Sequence, residues 1–334
     1  MSDKDSVSKR YLQDKERFAD LFNFFLYDGE QVIHPDQLTE RDTTAISLPY
    51  GDDGKVSSVQ KQRDILRVVS AMTDGRYDYL LLAIEVQSEI HYAMPPKNML
   101  YDAVQYTDQV YQTGKAHRQN KDEYADTGEF LSGFYKTDKL LPVITLTIYL
   151  DAKEWDAPRS LHEMLLIEDE RLLPFIPDYK LNLITPADMT DEDFSKMHTE
   201  LSPVLKYLKY SRSKDKLTEV VNTDPAYRHL HRESAEIINT VTKSNLRIEE
   251  GKERIDMCQA IQEMMAESEA KGRAEGEAKG RAEGRAEGRA EGETFGVMKT
   301  LIGLFKEGLL TLAQAAQKAN MSPEEFQLKA AEQR

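Results

Sequence analysis

The chain has 334 residues, 40% of them apolar and 31% charged, and a formal net charge of −15. That length buries a core in one domain plus an appendage, or in two modest domains. The acidic excess excludes non-specific nucleic-acid binding by the molecule as a whole, because neutralising phosphate takes clustered Lys and Arg, so any DNA contact must be local. A single cysteine, Cys258, excludes an internal disulfide and a multi-cysteine zinc site, which suits a reducing compartment and a cytoplasmic location. The polar start, Met1 to Arg10, has no apolar signal core, and the aliphatic run Leu80 to Ile84 is too short for a bilayer, so no membrane association is expected.

Tyr11 to Tyr27 spaces Leu12, Phe18, Leu21, Phe22 and Phe25 at intervals near three and four, which predicts a helix packed on one face and ended by Asp28-Gly29. Gln31 to Tyr50 mixes turn formers with short apolar pieces and predicts a loop or a short edge strand. Arg63 to Ser70 and Tyr79 to Gln87 are rich in aliphatic and β-branched residues, with Asp74-Gly75 between them as a type I′ turn signal, so they read as a hairpin. Pro95-Pro96 introduces a helix over Asn98 to Tyr111, and Thr113 to Asp138 reads as an exposed loop. Leu141 to Leu150 is a largely buried strand by its β-branched content. From Asp188 to about Met265 the pattern is helical, with Thr190 or Asp191 as a cap and Ser202-Pro203 as a start.

Glycine recurs every fourth residue from Gly272 to Gly292, mostly with Arg-Ala-Glu between. Each glycine costs a helix about 1 kcal/mol, while Glu and Arg pair at helical spacing, so the repeat reads as a marginal helix or an extended linker. Phe295 to Gln327 reads as two or three short helices. Leu312 to Phe326 faintly resembles a helix-turn-helix, but it lacks basic side chains for a groove and reads better as an interaction element, through which a homo-oligomer would form.

A two-residue loop at Asp74-Gly75 pairs hairpin positions whose numbers sum to 149, which sets Asp64 opposite Glu85. Opposed side chains on one face stand about 5 Å apart, where two carboxylates repel unless a cation or a proton is shared. Glu85 and Gln87, one residue apart on a strand, project to that same face. Hard cations such as Mg²⁺ take such oxygens and activate water against a phosphodiester. The same spacing also fits solvated carboxylates on the polar face of an edge hairpin, held by Lys61, Arg63 or Arg67.

The residues Arg63-Asp64-Ile65-Leu66 and Leu82-Ala83-Ile84-Glu85-Val86-Gln87-Ser88-Glu89 resemble the D…E-x-Q variant of the PD-(D/E)XK nuclease superfamily. More closely, the chain resembles the recombination-promoting nuclease and transposase family, through Tyr101-Asp102-Ala103, Leu141-Pro142-Val143-Ile144, and Trp155 with Ser160-Leu161-His162. The resemblance implies an α/β fold with a mixed sheet flanked by helices, and metal-dependent endonucleolytic cutting of DNA in recombination or transposition. It implies Asp64 and Glu85 as ligands of Mg²⁺, with Mn²⁺ or Ca²⁺ as alternatives. Gln87 falls where the superfamily usually has lysine, and it can orient a group but not neutralise one. Asp20, on the first helix, reads either as a further catalytic carboxylate or as a surface aspartate. The competing functional reading is a nuclease-fold module that binds DNA or protein without cutting.

This predicts a nuclease-like core over 1–187, a helical region over 188–268, the glycine repeat over 269–293 and a small helical element over 294–334. Lys206, Lys209 and Arg212, interleaved with Tyr207 and Tyr210, are the strongest basic and aromatic stretch, read either as DNA-binding residues or as the solvated face of a helix. Tyr101 and Gln105 lie one helical turn apart and face either the site or a phosphate backbone, with core packing the favoured role for Tyr101. His229 and His231, two apart with no third ligand at a recognisable interval, are structural or exposed.

Overall fold

The computed structural model describes residues 3–41, 44–47, 59–62, 64–73, 76–248 and 251–332. The expected first helix is two. The chain turns after α1 (Asp3–Leu12), and the Asp14 carboxylate accepts the Arg17 N–H to cap α2 (Lys15–Tyr27). At the other end Asp28 takes the left-handed conformation and stops α2.

Short strands follow: β1 (Thr39–Glu40), β2 (Thr44–Ser47) and β3 (Val59–Gln62), the last two forming their own antiparallel ribbon. The hairpin is β4 (Ile65–Thr73) with β5 (Arg76–Gln87), and its register runs from Thr73↔Arg76 to Ile65↔Ile84, so paired numbers sum to 149 as the sequence predicts. The turn residues Asp74-Gly75, and Arg63, lie outside the described residues.

A long helix, α3 (Met94–Asn120), starts at the prolines and runs well past Tyr111, and the short α4 (Thr127–Ser132) follows. The segment expected as a loop is thus partly helical, because Gln, Lys and Arg there are good helix formers. The chain then enters β6 (Val143–Tyr149) and, after irregular turns, β7 (Asn182–Ile184). The sheet order is β1-β4-β5-β6-β7, antiparallel through β5 and parallel beyond it, so the expected mixed α/β sheet is what forms. The β5-to-β6 step is parallel and needs a crossover, which α3 provides.

Strand alternation gives this sheet two faces. Leu66, Leu81 and Ala83 point to one, together with Thr145 and Thr147, and α3 lies over it: Asn98 Nδ2 donates to Thr147 Oγ1 at 2.8 Å, and Thr145 Oγ1 donates to Asp102 Oδ1 at 2.6 Å. Ile65, Val69, Leu82, Ile84, Leu146 and Ile148 are buried on the other face. Helix α2 lies there, with Arg67 carrying its guanidinium 4.7 Å from the centre of the Phe18 ring. Fully burying each such aliphatic side chain contributes about 1.5–3 kcal/mol, which fixes the strand register on both sides.

The helical half comprises α5 (Asp191–Ser195), α6 (Leu201–Tyr210), α7 (Lys214–Thr223) and α8 (Arg232–Thr242), with a two-residue ladder of β8 (Leu230–His231) and β9 (Arg254–Ile255). Thr190 and Asp193 form a capping box at α5. Because α6 packs on α2 and α8 on α1, this half belongs to the same compact unit as the sheet, Met1–Gln262. The second unit, Glu263–Arg334, contains most of α9 (Met257–Lys306), then α10 (Leu312–Lys318) and α11 (Pro323–Glu332), around a core of Leu301, Ile302, Ala315, Ala316 and Phe326. Within α9 the glycine repeat is helical throughout. Among the described residues no helix is long and apolar enough to cross a membrane.

Candidate functional site

Asp64 lies in a bend directly before β4, so that extending the register one step past the Ile65↔Ile84 pair sets it opposite Glu85. Asp64 Oδ2 accepts the Val86 N–H at 2.9 Å, a bond across the hairpin that holds the carboxylate against β5. Its Oδ1 lies 2.7 Å from Lys9 Nζ of α1. Glu85 is only 1% exposed, and its Oε2 lies 3.2 Å from Lys97 Nζ, which enters from the first turn of α3. The two carboxylates are thus neutralised from two directions, by ammonium groups on two different helices.

Gln87 shares the face of Glu85 by strand alternation, and its Nε2 donates to the Val86 carbonyl at 2.9 Å. Tyr101 is half-buried, with its ring centre 5.6 Å from the Lys97 ammonium, a cation–π distance that helps to fix the lysine. Tyr149, paired with Gln87 across the sheet, packs edge-on to Trp155 at 5.4 Å. Burial pushes its phenol up to about 12, so it is neutral at physiological pH. The neighbouring Ser88 hydroxyl donates to Asp5 at 2.9 Å and ties the end of β5 to α1.

Asp20 is kept out of this group. It sits on α2, which covers the opposite face of the sheet, and it is 2% exposed. Its carboxylate accepts the His198 N–H at 2.9 Å, the Thr199 N–H at 2.8 Å and the Thr199 hydroxyl at 2.6 Å. It is neither a surface residue nor a neighbour of Asp64, but a buried brace for the turn that leads into α6. Gln105 is buried beneath α3.

The basic stretch on α6 and just beyond its end is likewise occupied. Lys206 lies 3.8 Å from Asp224, Lys209 donates to the carbonyl of Met189, and Arg212 pairs with Asp151 at 3.0 Å. Tyr207 is fully buried, so the face carrying it is core. His231 Nδ1 meets Glu200 at 2.8 Å, a structural contact at the start of α8.

Lysines 9 and 97 are absent from the sequence reading. Nothing local announces Lys9, which comes from a polar helix far along the chain. Lys97 does carry a signal. A cation in the first turn of a helix opposes the macrodipole and is unfavourable unless an anion lies nearby. No acidic residue stands in that turn of α3, so the compensating anion has to come from elsewhere in the fold.

A family model described as putative transposase, YhgA-like, matches residues 58–236. The chain belongs to that YhgA-like transposase family. The match takes in the hairpin with both carboxylates, α3 with Lys97, strands β6 and β7 and most of the α5–α8 helices. No curated protein and no solved structure matches the chain.

Asp64 and Glu85 are the residues that could hold a divalent ion. Among the described residues no group of three His, Cys, Asp or Glu side chains is arranged to do so. Two carboxylates with hard oxygens do fit the habit of Mg²⁺, which keeps several waters and completes its shell with substrate phosphate. The two ammonium groups resting on these carboxylates already set positive charge beside each of them.

Proposed function

We propose that this YhgA-like protein is a divalent-metal-dependent DNA endonuclease of the PD-(D/E)XK type, acting in recombination or transposition. The observation that supports it most is the placing of two carboxylates at one end of the hairpin, Asp64 held by the Val86 N–H and Glu85 on β5 with the Lys97 ammonium against it. Family membership supports the transposition setting. A bound Mg²⁺ would supply positive charge against the scissile phosphate and make water a better nucleophile at neutral pH.

The side chains divide the remaining work. Asp64, fixed by the Val86 N–H, and Glu85 would hold the ion between strands that cannot slip without losing the core. Gln87 hydrogen-bonds and orients, but carries no charge. Lys97 supplies the fixed cation that a lysine at position 87 would have given, from a helix instead of the strand. In the reaction a water oxygen bonds to phosphorus, the bond to the leaving sugar oxygen breaks, and the proton lost by water is balanced by one gained at that oxygen.

Incubating the full chain with supercoiled plasmid and Mg²⁺, Mn²⁺ or Ca²⁺ tests the reading. Metal-dependent nicking that disappears in Asp64→Ala and Glu85→Ala is the expected result, and equal cutting by these variants overturns the site. The pairing of both carboxylates with lysine also favours a second reading, a module that binds DNA without cutting it. DNA retention at low salt with no nicking under any of the three ions selects that reading.

A further inference from the structure

Both oxygens of the Asp64 carboxylate are engaged, and by unlike partners. Oδ2 accepts the Val86 N–H at 2.9 Å, a contact inside the hairpin, while Oδ1 meets the Lys9 ammonium at 2.7 Å. A divalent ion that binds Asp64 without breaking the hairpin contact therefore needs the oxygen on which Lys9 rests. An ammonium and a dication on one carboxylate oxygen repel each other, so the two are alternatives.

The two lysines of the site serve different carboxylates. The Glu85 side chain is 2% exposed, and a carboxylate so far out of water keeps its cation: Lys97 is held there and also faces the Tyr101 ring at 5.6 Å. The Asp64 side chain is 15% exposed and reaches the rim, where solvent and a ligand arrive. Lys97 lies within the residues that the family model matches, 58–236, and Lys9 lies outside them. The cation on Asp64 thus comes from an element added to the matched unit.

Helix α1 is anchored on both sides of Lys9. Asp5 accepts the Ser88 hydroxyl at 2.9 Å, the Tyr11 and Ser234 hydroxyls meet at 3.0 Å, and Leu12 is buried. When the ion pair opens, the backbone therefore stays in place and only the flexible four-carbon stem turns. Oxygens that share one Mg²⁺ lie about 3 Å apart. A DNA phosphate joining Asp64 on the same ion consequently comes within reach of the ammonium that the ion displaced.

We infer that Lys9 is a metal-gated contact to the DNA backbone: it neutralises Asp64 in the metal-free protein and passes to a phosphate oxygen when a divalent ion takes Asp64. The inference rests on the metal-site reading above and deepens it. Ion and DNA then bind with positive coupling, because the ion releases a cation that the metal-free protein keeps for itself. In a chain of net charge −15, where any DNA contact has to be local, such coupling confines the contact to the metal-loaded site.

Fluorescence anisotropy of a labelled DNA duplex with the full chain, over a salt series with and without Ca²⁺, tests this, together with calorimetric titration of Ca²⁺ into the protein alone. Thermal melting first establishes that each variant is folded. One phosphate contact contributes about 0.9 to the slope of log affinity against log salt. With Ca²⁺ present, Lys9→Met should lower that slope by about 0.9 and Lys9→Arg should keep it, whereas without Ca²⁺ the wild type and Lys9→Met should have equal slopes. In the absence of DNA, Lys9→Met should bind Ca²⁺ roughly tenfold more tightly than the wild type, because the competing cation is gone. A slope lowered equally with and without Ca²⁺, a slope lowered in neither condition, or equal Ca²⁺ affinity in the two proteins overturns the gated contact and leaves the metal site standing. Absence of Ca²⁺ binding in wild type and Lys9→Met alike removes the metal site itself, and this proposal with it.

Discussion

Lys97 Nζ stands 3.2 Å from Oε2 of Glu85, a carboxylate 1% exposed on the central strand, and it comes from the first turn of α3. A buried carboxylate that loses a cationic partner keeps its desolvation penalty without the compensation, so Lys97→Met should destabilise the fold by about 1–3 kcal/mol. Plasmid nicking should fall by roughly 10²-fold or more, the loss typical of removing a preorganised charge stabiliser. Millimolar Mg²⁺ should raise the melting temperature of this variant more than that of the wild type, because a second cation can take the vacated place. Wild-type nicking by Lys97→Met would remove the lysine from the mechanism.

Asp64 has two duties that substitution separates. Asp64→Asn keeps an acceptor for the Val86 N–H, while Asp64→Ala loses it. Denaturant unfolding should show the alanine variant less stable than the asparagine variant by about 1 kcal/mol. Both should be inactive on plasmid, because neither carries the negative charge that a cation needs. A stable, fully active Asp64→Asn protein would contradict that assignment.

For Asp20 the expectation is reversed. Its alanine variant leaves the N–H groups of His198 and Thr199 without their acceptor and should lose about 2–4 kcal/mol of stability. At a temperature where the variant stays folded, its nicking rate should match the wild type. A large loss of rate with native melting behaviour would return Asp20 to the catalytic group.

His117, near the end of α3, sets one ring nitrogen 2.9 Å from Asp122 and the other 3.0 Å from Asp138. The two carboxylates, Asp122 foremost, hold the imidazole above its usual value. Burial pushes Asp138 up, but the Tyr135 N–H and His117 outweigh it and keep its carboxyl below the ordinary range. A raised histidine stabilises fully below its unfolded value of about 6.5, and that contribution is lost as pH rises through the raised folded value. The lowered aspartate contributes above about 3.9 and loses its effect as pH falls through its folded value. The segment from 121 to 138 should therefore be best held between about pH 4 and 6.5. Hydrogen exchange across that window checks it, and a His117 titration midpoint by NMR at or below 6.5 would refute it.

The register of the hairpin, Ile65↔Ile84 to Thr73↔Arg76, was legible because strand periodicity is two and an Asp-Gly signal fixes a loop length, so arithmetic on residue numbers carries spatial content. Helix α2 and strand β6 were legible for the same kind of reason, a period matched to a buried face. What arithmetic does not reach is anything contributed by a separate element. Lys9, Lys97 and the His198–Thr199 turn that captures Asp20 meet their partners only through tertiary packing. The end of α3 escaped because its polar residues carry no apolar period, although their helix propensity is high. The Gln13-Asp14 break escaped because a single capping carboxylate outweighs a continuous apolar pattern.

The charges at the site are sorted by element: the hairpin supplies only the anions, Asp64 and Glu85, and the two helices supply only the cations, Lys9 and Lys97. Docking the helices and neutralising the hairpin are consequently one event. A hairpin formed ahead of α1 and α3 would hold both carboxylates without the lysines that neutralise them. A soluble divalent ion present during refolding could act there in place of the lysines, as a scaffold for the strands.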